Sequence, residues 1–166
     1  MVTFEENLNI MIQRIQTIFL ALVAVISVVS SFLPIMELSG TEGDFIMNHY
    51  KTIAATDASI LVKNMGVGVL QGLVLIVAIV MIVLFKNRSL QIKLGKLNIL
   101  LIALEIAAIV VYSDLAKAAI GSSPEDVVVS FKLGAVVPVL SLILTYLAIR
   151  FIKKDDALVR SADRLR

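Results

Sequence analysis

The stretch MGVGVLQGLVLIVAIVMIVLF, residues 65–85, carries no charged side chain. At 1.5 Å per residue it makes a helix of about 30 Å, the thickness of the hydrocarbon core of a bilayer. Its only polar side chain is Gln71. Three more runs repeat the pattern with few or no charges: Thr17–Leu33, Leu97–Tyr112 and Leu133–Phe151. The chain therefore reads as an all-α membrane protein, a four-helix transmembrane bundle with spans at about 15–34, 63–85, 95–113 and 133–152. External loops at 35–62 and 114–132, a cytoplasmic loop at 86–94 and a tail at 153–166 complete a single integral membrane domain over 1–166.

Composition supports this. Hydrophobic residues make up 59% of the 166 and charged residues 17%, against about 25% charged in a typical soluble domain. Mean hydropathy is +0.98. With four spans there is no room for a soluble domain of ordinary size. The chain has no cysteine, which removes disulfides, thiolate metal sites and thiol nucleophiles from consideration. The first run follows Arg14 and is longer than a secretory core of about 7–15 residues, and no A-x-A site follows it. It is read as an uncleaved span, and Met11 offers a second possible start of translation.

Basic residues set the orientation. With the N-terminus in the cytoplasm, Arg14, Lys86, Arg88, Lys93, Lys96, Arg150, Lys153, Lys154, Arg160, Arg164 and Arg166 lie inside, which is 11 of 15. Lys51, Lys63, Lys117 and Lys132 lie outside. Cytoplasmic segments accumulate Lys and Arg, so both termini are expected in the cytoplasm. The net charge of +2 reflects this bias and implies anionic headgroups, not nucleic acid.

The external loops carry strand signals. Ser39-Gly40-Thr41-Glu42-Gly43 reads as a turn, and Phe45–Tyr50 after it as a strand. Gly121-Ser122-Ser123-Pro124 precedes a second strand-like run, Val127–Phe131. Both runs flank spans on the same side, so they predict a small extracytoplasmic β-sheet formed by the two loops. The tail after Phe151 continues the helical spacing, with Leu158 and Leu165 on an apolar stripe and Asp156 placed to pair with Arg160.

Few residues carry chemistry. Glu105 lies mid-span, where a charged residue costs about 2.5–3.5 kcal/mol on insertion scales. Such a group faces the bundle interior and marks either a proton path or a hydrogen-bonded packing site. Gln71, Ser141, Thr145 and Tyr146 are its candidate partners. Gly68-x-x-x-Gly72 and Ala103-x-x-x-Ala107 are small-residue faces for close helix packing, within the bundle or in a homo-oligomer. No strand is expected before Gly66-x-Gly68, which opens an apolar span, so it is not read as a nucleotide loop. His49 is the only histidine and reads as a surface residue, and Asp155-Asp156 beside Lys153-Lys154 as a solvated charge cluster. No catalytic, cofactor or metal residue set emerges.

Four segments together carry a resemblance: MIQRIQT at 11–17, FKNRSLQIKL at 85–94, LNILL at 97–101 and KDDALVRSADRLR at 154–166. They look like an uncharacterised family of small four-span inner-membrane proteins of Bacteroidota, described as a domain of unknown function. The resemblance implies location and architecture but no catalytic residue, and its signature lies at the cytoplasmic ends. The expected function is a non-enzymatic accessory or assembly subunit of a cell-envelope complex, with membrane lipids and other membrane proteins as partners. Arg160, Arg164, Arg166, Leu158 and Leu165 are the candidate docking residues. The alternative is a small oligomeric transporter or proton-coupled carrier using Glu105. A lipid-active enzyme ranks last, for want of paired acid and base groups.

Overall fold

A computed structural model describes residues 4–41, 43–85, 87–120 and 127–163. In chain order it contains α1 (Phe4–Ser30), β1 (Met36–Gly40), β2 (Gly43–Met47), β3 (Lys51–Ala54), β4 (Ile60–Lys63), α2 (Met65–Val83), α3 (Arg88–Ile120), β5 (Val128–Phe131) and α4 (Leu133–Asp163). By length and composition α2, α3 and α4 each suffice to cross a membrane, and α1 adds a shorter apolar segment, Ile15–Ser30. The chain is a multi-pass membrane protein with a small open sheet at one end of its helices.

Burial supports the membrane reading. Ile18 and Val25 of α1, Ile76 of α2, Leu100 of α3 and Val136 and Ile143 of α4 are all at least half exposed within the chain. Meanwhile Gln16, Gln71, Asn98, Glu105, Ser141 and Thr145 are buried. An apolar exterior around a partly polar interior is stable only where the surrounding solvent is itself apolar.

The helices run further than the apolar runs that announced them. Helix α3 has 33 residues, about 50 Å, so it extends some 20 Å beyond a hydrocarbon core. The expected internal loop is correspondingly shorter, because α3 begins at Arg88. The Asn87 side chain accepts the Leu90 amide at 3.1 Å, an N-cap that starts the helix among polar residues. At the far end, Lys117 and Asp114 pair at 3.1 Å on the helix surface. Helix α4 passes without a break from Leu133 to Asp163, as the helical spacing of the tail predicts.

The sheet is antiparallel throughout, in the order β4-β3-β2-β1-β5. The two loops do share a sheet, as the sequence suggested. The predicted strands β2 and β5 are not neighbours, however: β1 lies between them, and β3 and β4 extend the sheet beyond the sequence reading. Asn48, His49 and Tyr50 form the turn between β2 and β3 instead of continuing a strand. The Ser39–Gly43 turn signal falls where β1 folds back on β2, with Gly40 paired to Gly43. Gly43 has φ +127°, which a side chain rarely tolerates. The Gly121–Pro124 turn signal lies outside the described residues.

Isolated strands of four or five residues are marginal in water, and the bundle supplies the missing support. Ile109, Ala116 and Ile120 of α3 and Val67 of α2 pack with Leu38, Phe45 and Met47 of the sheet in one buried cluster. The extra length of α3 is thus what carries the sheet. An ion pair between Lys132 and Glu37 at 2.7 Å ties the start of α4 to β1.

Candidate functional site

The buried face of α3 reads Gln91, Gly95, Asn98, Ile102, Glu105, Ile109 and Ser113. From Gln91 to Ile109 steps of four and three alternate, which is the seam of a heptad repeat. Gln91, Asn98 and Glu105 recur every seven residues, about 10 Å apart along the axis. Each polar rung is separated from the next by a small or apolar residue. The result is a polar ladder running through the bundle.

The other helices meet this ladder with polar groups of their own. Asn98 Nδ2 donates to Thr145 Oγ1 of α4 at 3.4 Å. Gln91 Nε2 donates to the Met81 carbonyl of α2 at 2.7 Å. Gln71 Nε2 reaches across to the Ser27 carbonyl of α1 at 3.1 Å. Bonds of this kind hold helices together where apolar burial gives no driving force, and average about 0.6 kcal/mol each in a membrane protein. All four helices are linked by them.

Glu105 is 1% exposed, so it faces the interior as expected. Among the described residues, none of its proposed partners is hydrogen-bonded to it. Gln71 gives its amide to Ser27, Thr145 accepts from Asn98, and Tyr146 is 56% exposed on the outward face of α4. Among the described residues Glu105 Oε1 has no hydrogen-bond partner, nor do Gln16 Oε1, Ser27 Oγ, Gln91 Oε1 and Asn98 Oδ1. The atoms of Gln91, Asn98 and Glu105 follow the α3 seam.

Two close approaches occur where glycine removes a side chain. A Cβ on Gly95 would lie 2.5 Å from Ile149 Cγ1 and 3.1 Å from Met81 Cε, so α3 meets α4 and α2 closely there. Gly68 also sits at a close contact, but against the Tyr50 ring and the His49 carbonyl of the β2–β3 turn rather than another helix. Gly72 faces open space, and Ala103 and Ala107 lie on the exposed side of α3. Within the chain, Gly68 thus seats the β2–β3 turn and not another helix.

That turn is clamped from both sides. Ser30 Oγ, at the end of α1, and His49 Nε2 lie 3.1 Å apart. Asn64, just before α2, donates its amide to the Asn48 carbonyl at 3.1 Å and to Thr52 Oγ1 at 2.9 Å. His49 is fully buried and not a surface residue, and desolvation lowers its pKa to about 4. The sequence could not reveal this, because a turn that folds back onto two helix ends has no periodic signature.

The opposite end has its own anchor. Asp155, expected in solvent, is fully buried, and its Oδ2 accepts from Arg88 Nε at 2.6 Å. Asp156 behaves as expected and pairs with Arg160 at 3.0 Å. Leu158 is 38% exposed, while Arg164, Leu165 and Arg166 lie outside the described residues. Among the described residues no group of three or more His, Asp and Glu is placed to hold a metal ion.

No curated protein and no solved structure matches this chain. The family comparison does give a match, over residues 12–165, nearly the whole length of bundle and sheet. The chain belongs to the family described as Domain of unknown function (DUF4293).

Proposed function

We propose that the protein is a non-enzymatic subunit of a cell-envelope complex, spanning an inner membrane four times with both termini in the cytoplasm. One observation carries this reading. Helix α4 continues unbroken to Asp163, about 18 Å past the end of its apolar run, and the Arg88–Asp155 ion pair fixes it to the start of α3. The projecting turns present Leu158 and a 72% exposed Arg160 side chain. A rigidly held, partly apolar helix end suits docking to a protein, and beyond residue 155 Asp156 and Asp163 offset its arginines and weaken simple attraction to anionic lipid. The test is co-purification in mild detergent. Deleting residues 157–166 should remove a stoichiometric partner and leave insertion intact. Replacing Arg160 and Arg164 with Lys should weaken the association, because Lys lacks the planar fork. Unchanged co-purification after both would end this reading.

A proton-coupled carrier is the second reading, and the unpartnered Oε1 of Glu105 within the polar ladder favours it. Glu105→Gln preserves shape and hydrogen bonding but cannot release a proton. Folded E105Q with full activity in reconstituted vesicles would leave Glu105 a packing group, and loss of a proton-dependent flux would make it a carrier.

A further inference from the structure

At the end of the bundle away from the sheet, Leu147, Arg150, Phe151 and Lys154 line a groove of about 400 Å³. Their i, i+3, i+4, i+7 spacing places them on one stripe of α4. Phe151 stacks on Phe19 of α1 with ring centroids 5.5 Å apart and an interplanar angle of 22°, which sets the groove at the α1–α4 seam. Leu147 and Phe151 are half-buried and form an apolar floor, while Arg150 and Lys154 are exposed.

Neither cation has an ion-pair partner among the described residues. The two acids nearby on α4 are occupied elsewhere, Asp155 by Arg88 and Asp156 by Arg160. The uncharged stretch of α4 ends at Ile149, and cations that close an apolar run reach the headgroup level. Towards the membrane the surface continues through exposed Ile143 and Leu140. The two cations are four residues apart, about 6 Å along the helix, a span that one phosphodiester can bridge. Below them the surface suits an acyl chain.

We infer that this groove binds an anionic diacyl phospholipid, with its phosphodiester between Arg150 and Lys154 and one acyl chain along Leu147 and Phe151. Basic pockets at helix seams near the membrane surface recognise such headgroups. Arg150 supplies a planar fork for two phosphate oxygens and Lys154 a point charge. A zwitterionic lipid would bring its own cation into a site that offers no carboxylate among the described residues. The site does not depend on what the tail of α4 docks to.

The experiment is native mass spectrometry of the full chain in detergent, with dioleoylphosphatidylglycerol and dioleoylphosphatidylcholine added in equal amounts. The wild type should retain phosphatidylglycerol in at least about fivefold excess, since each cation near the surface is worth about that factor. Arg150→Gln with Lys154→Gln should bring the two lipids to parity. Lys153→Gln, an exposed cation of the same helix outside the groove, should leave the preference in place. Excess inorganic phosphate should not displace the lipid. Four results would each overturn the inference: equal retention by the wild type, an unchanged ratio in the double variant, the same loss in K153Q, or displacement by inorganic phosphate, which would make the site one for a soluble anion. If circular dichroism shows the double variant misfolded, Lys154→Gln alone decides, with an unchanged ratio counting against the site.

Discussion

Arg88 Nε lies 2.6 Å from Asp155 Oδ2 and joins residues 67 positions apart, at the start of α3 and near the end of α4. The carboxylate is fully buried and the guanidinium is 21% exposed. Asp155 Oδ1 has no hydrogen-bond partner among the described residues, so the pair is anchored through one oxygen. Removing the arginine therefore strands a buried charge, a change that typically costs about 3–5 kcal/mol in a fully buried pair. Arg88→Gln should be strongly destabilising in detergent unfolding, and Arg88→Gln with Asp155→Asn should recover at least half of the loss. A double variant as unstable as the sum of the singles would show that the two residues act independently.

His49 gives the protein an acid-sensitive junction between the β2–β3 turn and the end of α1. Its pKa is lowered to about 4 by burial, below the ordinary 6.5. The unfolded chain therefore takes up a proton between pH 6.5 and 4 that the folded chain does not. The contribution is fully present above pH 6.5 and declines by up to about 3 kcal/mol as pH falls to 4. His49→Asn should flatten that part of the pH–stability curve in thermal unfolding. Parallel curves for the two proteins would remove His49 as the cause.

Gly95 is a contact that tolerates no added bulk. With Ile149 Cγ1 2.5 Å from where its Cβ would stand, Gly95→Val should cost about 1–3 kcal/mol through overpacking. Gly95→Ala should cost less in an Ile149→Ala background, where Cγ1 is gone, than in the wild type. An equal cost in both backgrounds would mean that α4 moves aside freely.

The proposed orientation has a direct check. Reporter fusions after Ser89 and Arg166 should read cytoplasmic, and fusions near Thr41 and Ser122 should read external, following the 11-to-4 split of basic residues. A cytoplasmic signal at Thr41 would reverse the orientation.

Hydropathy alone determined that this is a membrane protein of apolar helices, because a run such as 65–85 has no soluble alternative. Helical spacing showed that α4 continues through the tail, and the Asp156–Arg160 pair follows from an i,i+4 relation that needs no tertiary contact. The burial of Glu105 was equally legible, since a carboxylate at mid-span turns away from lipid. The heptad of Gln91, Asn98 and Glu105 was present in the sequence, but only the packing of α3 between its neighbours shows all three to be buried. Tertiary structure alone decided who meets whom. Gln71 found a carbonyl of α1 in place of Glu105, Gly68 received a turn in place of a helix, and β1 came between the two strands that the sequence suggested. It also buried His49 and Asp155, whose neighbours in sequence are polar. Periodicity reports which face of one element avoids its surroundings, whereas the partner across the interface is fixed by how distant segments pack, and one chain's local pattern does not encode that.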